Sequence, residues 1–168
     1  IRDSSITYEA AENLYLNQDY ERALQAFENY FEDFDTPIFK LNAHFYKAEC
    51  IYTTSPGLAV NDYLKVLEFS NNIFLERALI RLARIEFKRE EYGAAALHYT
   101  KLKSIAQENV LIREAIINLF YCFKKIVDND RLIEYAKEVV GLGKVDNELV
   151  NDARLIIAND NFDNSEFH

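Results

Sequence analysis

The stretch "REEYGAAALHYTKL", residues 89–102, decides the fold. It sets a glycine and three alanines between Tyr92 and Tyr99, in a run that otherwise keeps helical spacing. Two helices approach closely only where one of them presents a small side chain. An alanine four residues before an aromatic ring puts a hole and a knob on one helix face. Ala95 reads as the hole and Tyr99 as the knob, with Tyr92 packed where the chain turns. Gly93 and Ala94 are expected to start the helix where bulk would crowd that turn. The run reads as a packing device rather than a catalytic or ligand-binding one.

Working outward, the same register recurs. Phe27, Tyr63, Tyr99 and Tyr135 follow one another at 36-residue intervals, and Ala23, Ala59 and Ala95 stand four residues before the first three. In the fourth unit Arg131 takes the alanine's place. Tyr20 and Tyr92 are 72 residues apart, two periods. Apolar residues elsewhere recur at spacings of three and four, and the strict alternation of strands is nearly absent. Two prolines and four glycines in 168 residues leave little with which to build hairpin turns. The reading is all-α, a short array of repeated helical hairpins.

Composition excludes several classes. Nearly half of the residues are hydrophobic, which excludes a disordered chain. A net charge of −9 opposes binding to a phosphate backbone, so no nucleic-acid partner is expected. No apolar run approaches the roughly 20 residues of a spanning helix, so this segment is not expected to insert in a membrane. His44, His98 and His168 fall in different units, and no paired cysteine or histidine stands at ligand spacing. "DNDRL" and "DNFDNSE" lack the glycine and glutamate of a calcium loop and read as caps and solvated ends. No phosphate-loop or nucleophile-elbow pattern occurs, so neither an enzyme nor a cofactor is expected. Cys50 and Cys122 occupy equivalent places two units apart, too far for a disulfide, and read as small buried residues.

"NLYLNQDYERALQAFENY", "ECIYTTSPGLAVNDYLKVL" and "RIEFKREEYGAAALHYTKL" match the turn and second helix of a known repeat, and on them the chain resembles the tetratricopeptide repeat (TPR) family. The first-helix pattern is degenerate: there is no tryptophan, and Ala11, Ala48 and Ala83 stand in for its glycine. Unit four departs furthest, with Leu132 and Ala136 exchanging large and small. The resemblance implies a right-handed α-solenoid of stacked antiparallel hairpins, about four and a half repeats along almost the whole chain. The expected hairpins run over 5–33, 37–70, 73–106 and 110–141, and an incomplete fifth over 146–168. Asp35 or Thr36 is expected to cap a helix that starts at Pro37. "TTSPG" and "VDND" mark turns inside units two and four, and Gly141 or Gly143 is expected to take a left-handed cap. "NDNFDNSEFH" reads as the turn into a fifth second helix, and the chain as a segment of a longer protein.

The resemblance also implies a function, the binding of a protein or peptide partner along the concave groove lined by the first helices. Carried over residue by residue, that groove holds Tyr8, Glu12 and Tyr15 in unit one and Phe45, Glu49 and Tyr52 in unit two. Unit three adds Arg77, Arg84, Phe87 and Lys88, and unit four Ile117, Tyr121 and Lys124. It is expected to be acidic at its start and basic beyond its middle. Arg77, Arg81, Arg84 and Lys88 form one stripe on one helix face without help from the resemblance. Two readings of that stripe stay open: it binds an anionic partner segment, or it pairs internally, with Glu49 reaching Arg84 laterally. The alternative function is a structural spacer, or self-association through the incomplete last repeat, in a larger protein such as the repeat proteins of bacterial cell envelopes. Cell envelope, periplasm and cytoplasm all remain open.

Overall fold

The computed structural model describes residues 3–165, and among them the chain forms nine α-helices and one short 3₁₀ turn, with no strand. It divides into two compact units, residues 1–85 and 86–168.

In the first unit α1 (Ser4–Leu16) and α2 (Tyr20–Asp33) are joined through Asn17, Gln18 and Asp19 and pack along each other. α3 (Lys40–Thr54) follows, then a 3₁₀ turn (Pro56–Ala59) running directly into α4 (Val60–Leu67). α5 (Leu75–Lys88) contributes its residues up to Ile85. The alanine–aromatic register explains why these helices close on one another. Ala23 and Phe27 lie with Tyr8, Ala11, Tyr30, Ala43 and Cys50 in one buried cluster. Ala59 and Tyr63 lie with Phe45, Ala48, Val66, Phe74, Ala78 and Leu82 in a second. Each fully buried ring adds about 2–3 kcal/mol of apolar burial, and it fits because the facing helix offers a methyl group rather than a larger side chain.

The second unit holds α6 (Tyr92–Ile105), α7 (Asn109–Ile126), α8 (Asn129–Gly141) and α9 (Asn147–Ser165), each packed on the next. Its centre is Tyr99, Leu102, Leu119, Phe120, Phe123 and Val139, with Ala95, Ala115 and Ala136 completely buried between them. Arg131 lies outside, its guanidinium 2.6 Å from Asp128 and over the Phe123 ring. Leu132 and Ala136 of the expected large–small exchange are both buried.

Three of the turns use one device. Gln18, Glu90 and Val127 take positive φ, and the next backbone N–H reaches five residues back, Asp19 to Leu14, Glu91 to Glu86 and Asp128 to Phe123, at 2.9–3.0 Å. This bond satisfies a carbonyl that the end of the helix would leave open. Asp19 and Asp128 then cap the following helix, each accepting a backbone N–H three residues on. The turn at "TTSPG" does without a left-handed residue, because Pro56 starts the 3₁₀ segment instead. Gly143 and Lys144 both take positive φ after α8, and Arg113 of α7 donates to the carbonyls of Leu142, Gly143 and Lys144 there.

Three expectations are corrected. Pro37 does not start a helix, because the chain continues to Phe39, whose ring stacks on Tyr8 at 4.5 Å and whose N–H donates to the Tyr30 hydroxyl. Burial of that ring outweighs the local capping signal. "NDNFDN" is not a turn, since α9 runs through it to Ser165. Asparagine and aspartate lower helix propensity by well under 1 kcal/mol each, and no glycine or proline is present to break the helix. Residues 166–168, including His168, lie outside the described residues. Gly93 does not relieve crowding: a methyl group there would meet nothing within 4 Å, and Ala94 is exposed.

Candidate functional site

Among the described residues polar side chains converge around Glu49, around Glu86 and along an open groove, and Asp62 further pairs with His44 at 2.8 Å and Lys47 at 3.4 Å. The first is built on Glu49 of α3, buried although charged. Its Oε1 accepts from the Tyr63 hydroxyl of α4 at 2.5 Å and from Nε of Arg81 at 3.3 Å, and its Oε2 lies 2.7 Å from Nη2 of Arg77. The Arg81 guanidinium lies over the Tyr52 ring, 4.0 Å from its centre. Burial, then the Glu49 charge, pushes the Tyr15 phenol up. Burial and the bond to Glu49 do the same to Tyr63 more strongly. A buried carboxylate with three donors around it is satisfied and ties α3, α4 and α5 together.

The second constellation is the buried pair Glu86 of α5 and His98 of α6, with Oε2 and Nδ1 2.6 Å apart. Cys122 lies within its electrostatic reach. Burial first and Glu86 second push that thiol up to about 12, and burial with Glu49 does the same to Cys50. Both cysteines are free and buried, and thiols with such pKa values are not nucleophiles near neutrality. Among the described residues no group of His, Cys, Asp and Glu converges in a way that could hold a metal ion. No helix there is long and apolar enough to cross a membrane.

The third constellation borders a groove of about 860 Å³ between α7 and α9. α7 supplies Tyr121 and Lys124, the preceding turn supplies Asp146, and α9 supplies Glu148, Leu149, Asp152 and Leu155. Asp146 caps α9, its Oδ1 accepting from the Glu148 N–H at 2.8 Å and more weakly from the Leu149 N–H. Lys124 spans the groove to Asp152 at 2.6 Å. The arrangement sets apolar groups, Leu149 and Leu155, beside charged ones, which is the equipment of a binding surface.

Solved structures share this architecture. MamA from Desulfovibrio magneticus RS-1, a TPR-repeat protein, matches in a form covering residue 41 to its end. The TM-score is 0.62 at 14% identity, over 94% of this chain and 85% of that one. A double mutant of MamA from RS-1 matches with a TM-score of 0.63, also at 14% identity, over 94% of this chain and 84% of that one. The chain has a TPR-like fold. No protein-family model and no curated protein matches its sequence.

Within the TPR-like fold the expected groove residues separate into distinct groups. Tyr8, Phe45 and Glu49 are buried. Tyr8 donates to Glu12 at 2.7 Å, and the Phe45 ring stacks on Phe74. Tyr15 packs against Tyr20 and Tyr46, and Phe87 meets Tyr92 and Tyr99 edge-on. Arg77 and Arg81 take both oxygens of Glu49, the position that the sequence reading gave to Arg84. Arg84 and Lys88 are exposed on α5, and Ile117 is half-buried in α7. Tyr121 and Lys124 reach the open groove, but it is not basic there, because Lys124 is paired and acidic groups of α9 outnumber it. The contribution of α9 was missed because the groove residues carried over from the resemblance stopped at unit four, although a fifth hairpin was expected from 146. The signal was present: Glu148, Asp152 and Leu155 follow i, i+4, i+7 and share one helix face.

Proposed function

We propose that this chain is a protein-interaction scaffold whose α7–α9 groove takes a segment of a partner protein. The observation that carries the reading is the groove itself: about 860 Å³, open, with Tyr121, Leu149 and Leu155 as apolar contacts and charged groups at the rim. Aromatic rings give rigid contact area at low entropic cost, and a surrounding polar rim fixes orientation. The TPR-like fold supports the same reading, since a stack of hairpins presents successive first helices side by side. The aromatic residues of the first unit serve packing, so the reading rests on α7 and α9 alone.

The test uses random dodecapeptides displayed on phage and selected on the full chain. A bulky maleimide is attached at Leu155→Cys in the groove or, as a control, at Lys101→Cys on α6; both native cysteines are buried. The reading expects selected peptides to lose binding with the label at position 155 and to keep it with the label at 101. The opposite pattern, or no selectable peptide, contradicts it. Leu155 and Phe162 are exposed apolar residues on α9, which favours self-association as the second reading. Sedimentation showing a concentration-dependent dimer that the label at 155 abolishes would favour it instead.

A further inference from the structure

The groove's charge is opposite to what the basic stripe on α5 suggests, and this bears on which partner fits. Three carboxylates, Asp146, Glu148 and Asp152, border the space against a single ammonium, Lys124. Lys124 is exposed, and its ammonium is paired with Asp152 at 2.6 Å. The first turn of α9, the other feature that could attract an anion, is already capped by Asp146, whose carboxylate accepts two of its N–H groups. Glu148 is exposed, and among the described residues its carboxylate has no side-chain partner. The apolar part of the lining, Tyr121, Leu149 and Leu155, lies beside these groups.

Resting on the groove-binding reading above, we infer that the α7–α9 groove selects a protein segment that carries a lysine or arginine next to an apolar side chain. The apolar group meets Tyr121 and Leu155, and the cation meets Glu148 and competes with Lys124 for Asp152. Charge complementarity of this kind acts mainly on specificity and encounter rate. Lys124 thereby has a defined sign. It repels the incoming cation and occupies one of its acceptors, so removing it improves the site. A groove built for an acidic segment would show the reverse.

Two fluorescent dodecapeptides of identical leucine and serine content serve as probes, one carrying lysines and the other glutamates at the remaining positions. The full chain should bind the lysine peptide saturably and the glutamate peptide at least about tenfold more weakly. Glu148→Gln with Asp152→Asn should weaken the lysine peptide about tenfold, and Lys124→Gln should tighten it a few-fold. Glu21→Gln with Glu32→Gln on α2 removes as much negative charge and should leave the affinity within about twofold, which separates the groove from the general field of an acidic chain. Helical circular dichroism of each variant shows that it is folded. Preference for the glutamate peptide, weakening by Lys124→Gln, equal losses from the α2 and α9 variants, or no binding of either peptide would overturn the inference. If phage selection still returns peptides blocked by the label at position 155, the scaffold reading stands and only the charge class is wrong. If no such peptide is found either, both fall.

Discussion

Ala95 and Gly93 sit two residues apart in α6 and play opposite parts. Ala95 has no exposed surface, and its methyl group is what lets neighbouring helices close on the Tyr99 ring. Leucine at position 95 should overfill that contact and lower stability by about 1–3 kcal/mol, measured as a shift in the urea midpoint. Gly93 faces open space, so alanine there should stabilise by roughly 0.5–1 kcal/mol through helix propensity alone. A loss in the second variant would show that Gly93 is needed for backbone freedom after all. Val127 gives a third local case. It is β-branched, exposed, and held at φ 59° to close α7. Asparagine tolerates that region better, so Val127→Asn should raise the thermal midpoint by the equivalent of about 1 kcal/mol.

At the scale of elements, the ties between helices decide more than the helices themselves. Glu49 of α3 receives Tyr63 from α4 and two arginines from α5. Glu49→Ala would leave a buried hydroxyl and the half-buried Arg81 guanidinium without their acceptor. It should lower stability by about 2–3 kcal/mol, and Glu49→Gln by less, because the amide oxygen still accepts from Tyr63. Equal midpoints for wild type and Glu49→Ala in urea would show that the cluster is incidental. The helices were legible in the sequence because alanine and aromatic positions repeat with a fixed register and the turns carry polar or proline signals. The same reading failed at Pro37, where a distant ring contact drew the chain past a good cap, and at "NDNFDN", where weak breakers could not end α9. Both failures share a cause, since local signals worth under or about 1 kcal/mol yield to packing that they do not encode. The site was less legible than the fold. The resemblance placed Tyr15, Phe87 and Tyr121 along one groove, yet the first two pack against neighbouring rings, while Tyr121, beside Phe120, also lines the open groove.

At the scale of the whole molecule, each compact unit buries a thiol that holds its proton. Cys50 and Cys122 rise from an ordinary 9.0 to about 12. Burial and Glu12 push the Tyr8 phenol up, and burial and Glu49 push up that of Tyr63. A group with a raised folded pKa contributes stability that is complete below its unfolded value and declines as pH climbs toward the folded one. Stability should therefore be level near neutrality and fall steadily above about pH 9. Urea midpoints measured between about pH 7 and 11 would show it, and a midpoint that rises across that window would be inconsistent with buried, protonated thiols. The aromatic rings of the first unit are satisfied by packing and its carboxylate Glu49 by arginines, whereas the second unit keeps an open groove edged by Glu148 and Asp152. The proposed binding of a partner segment therefore rests on α7 and α9. Hydrogen exchange on the full chain, with and without a selected groove-blocked peptide, tests that assignment most directly. Slowed exchange in α7 and the first half of α9, with α2 and α6 unchanged, is the predicted result; protection confined to α2 or α6 would contradict it.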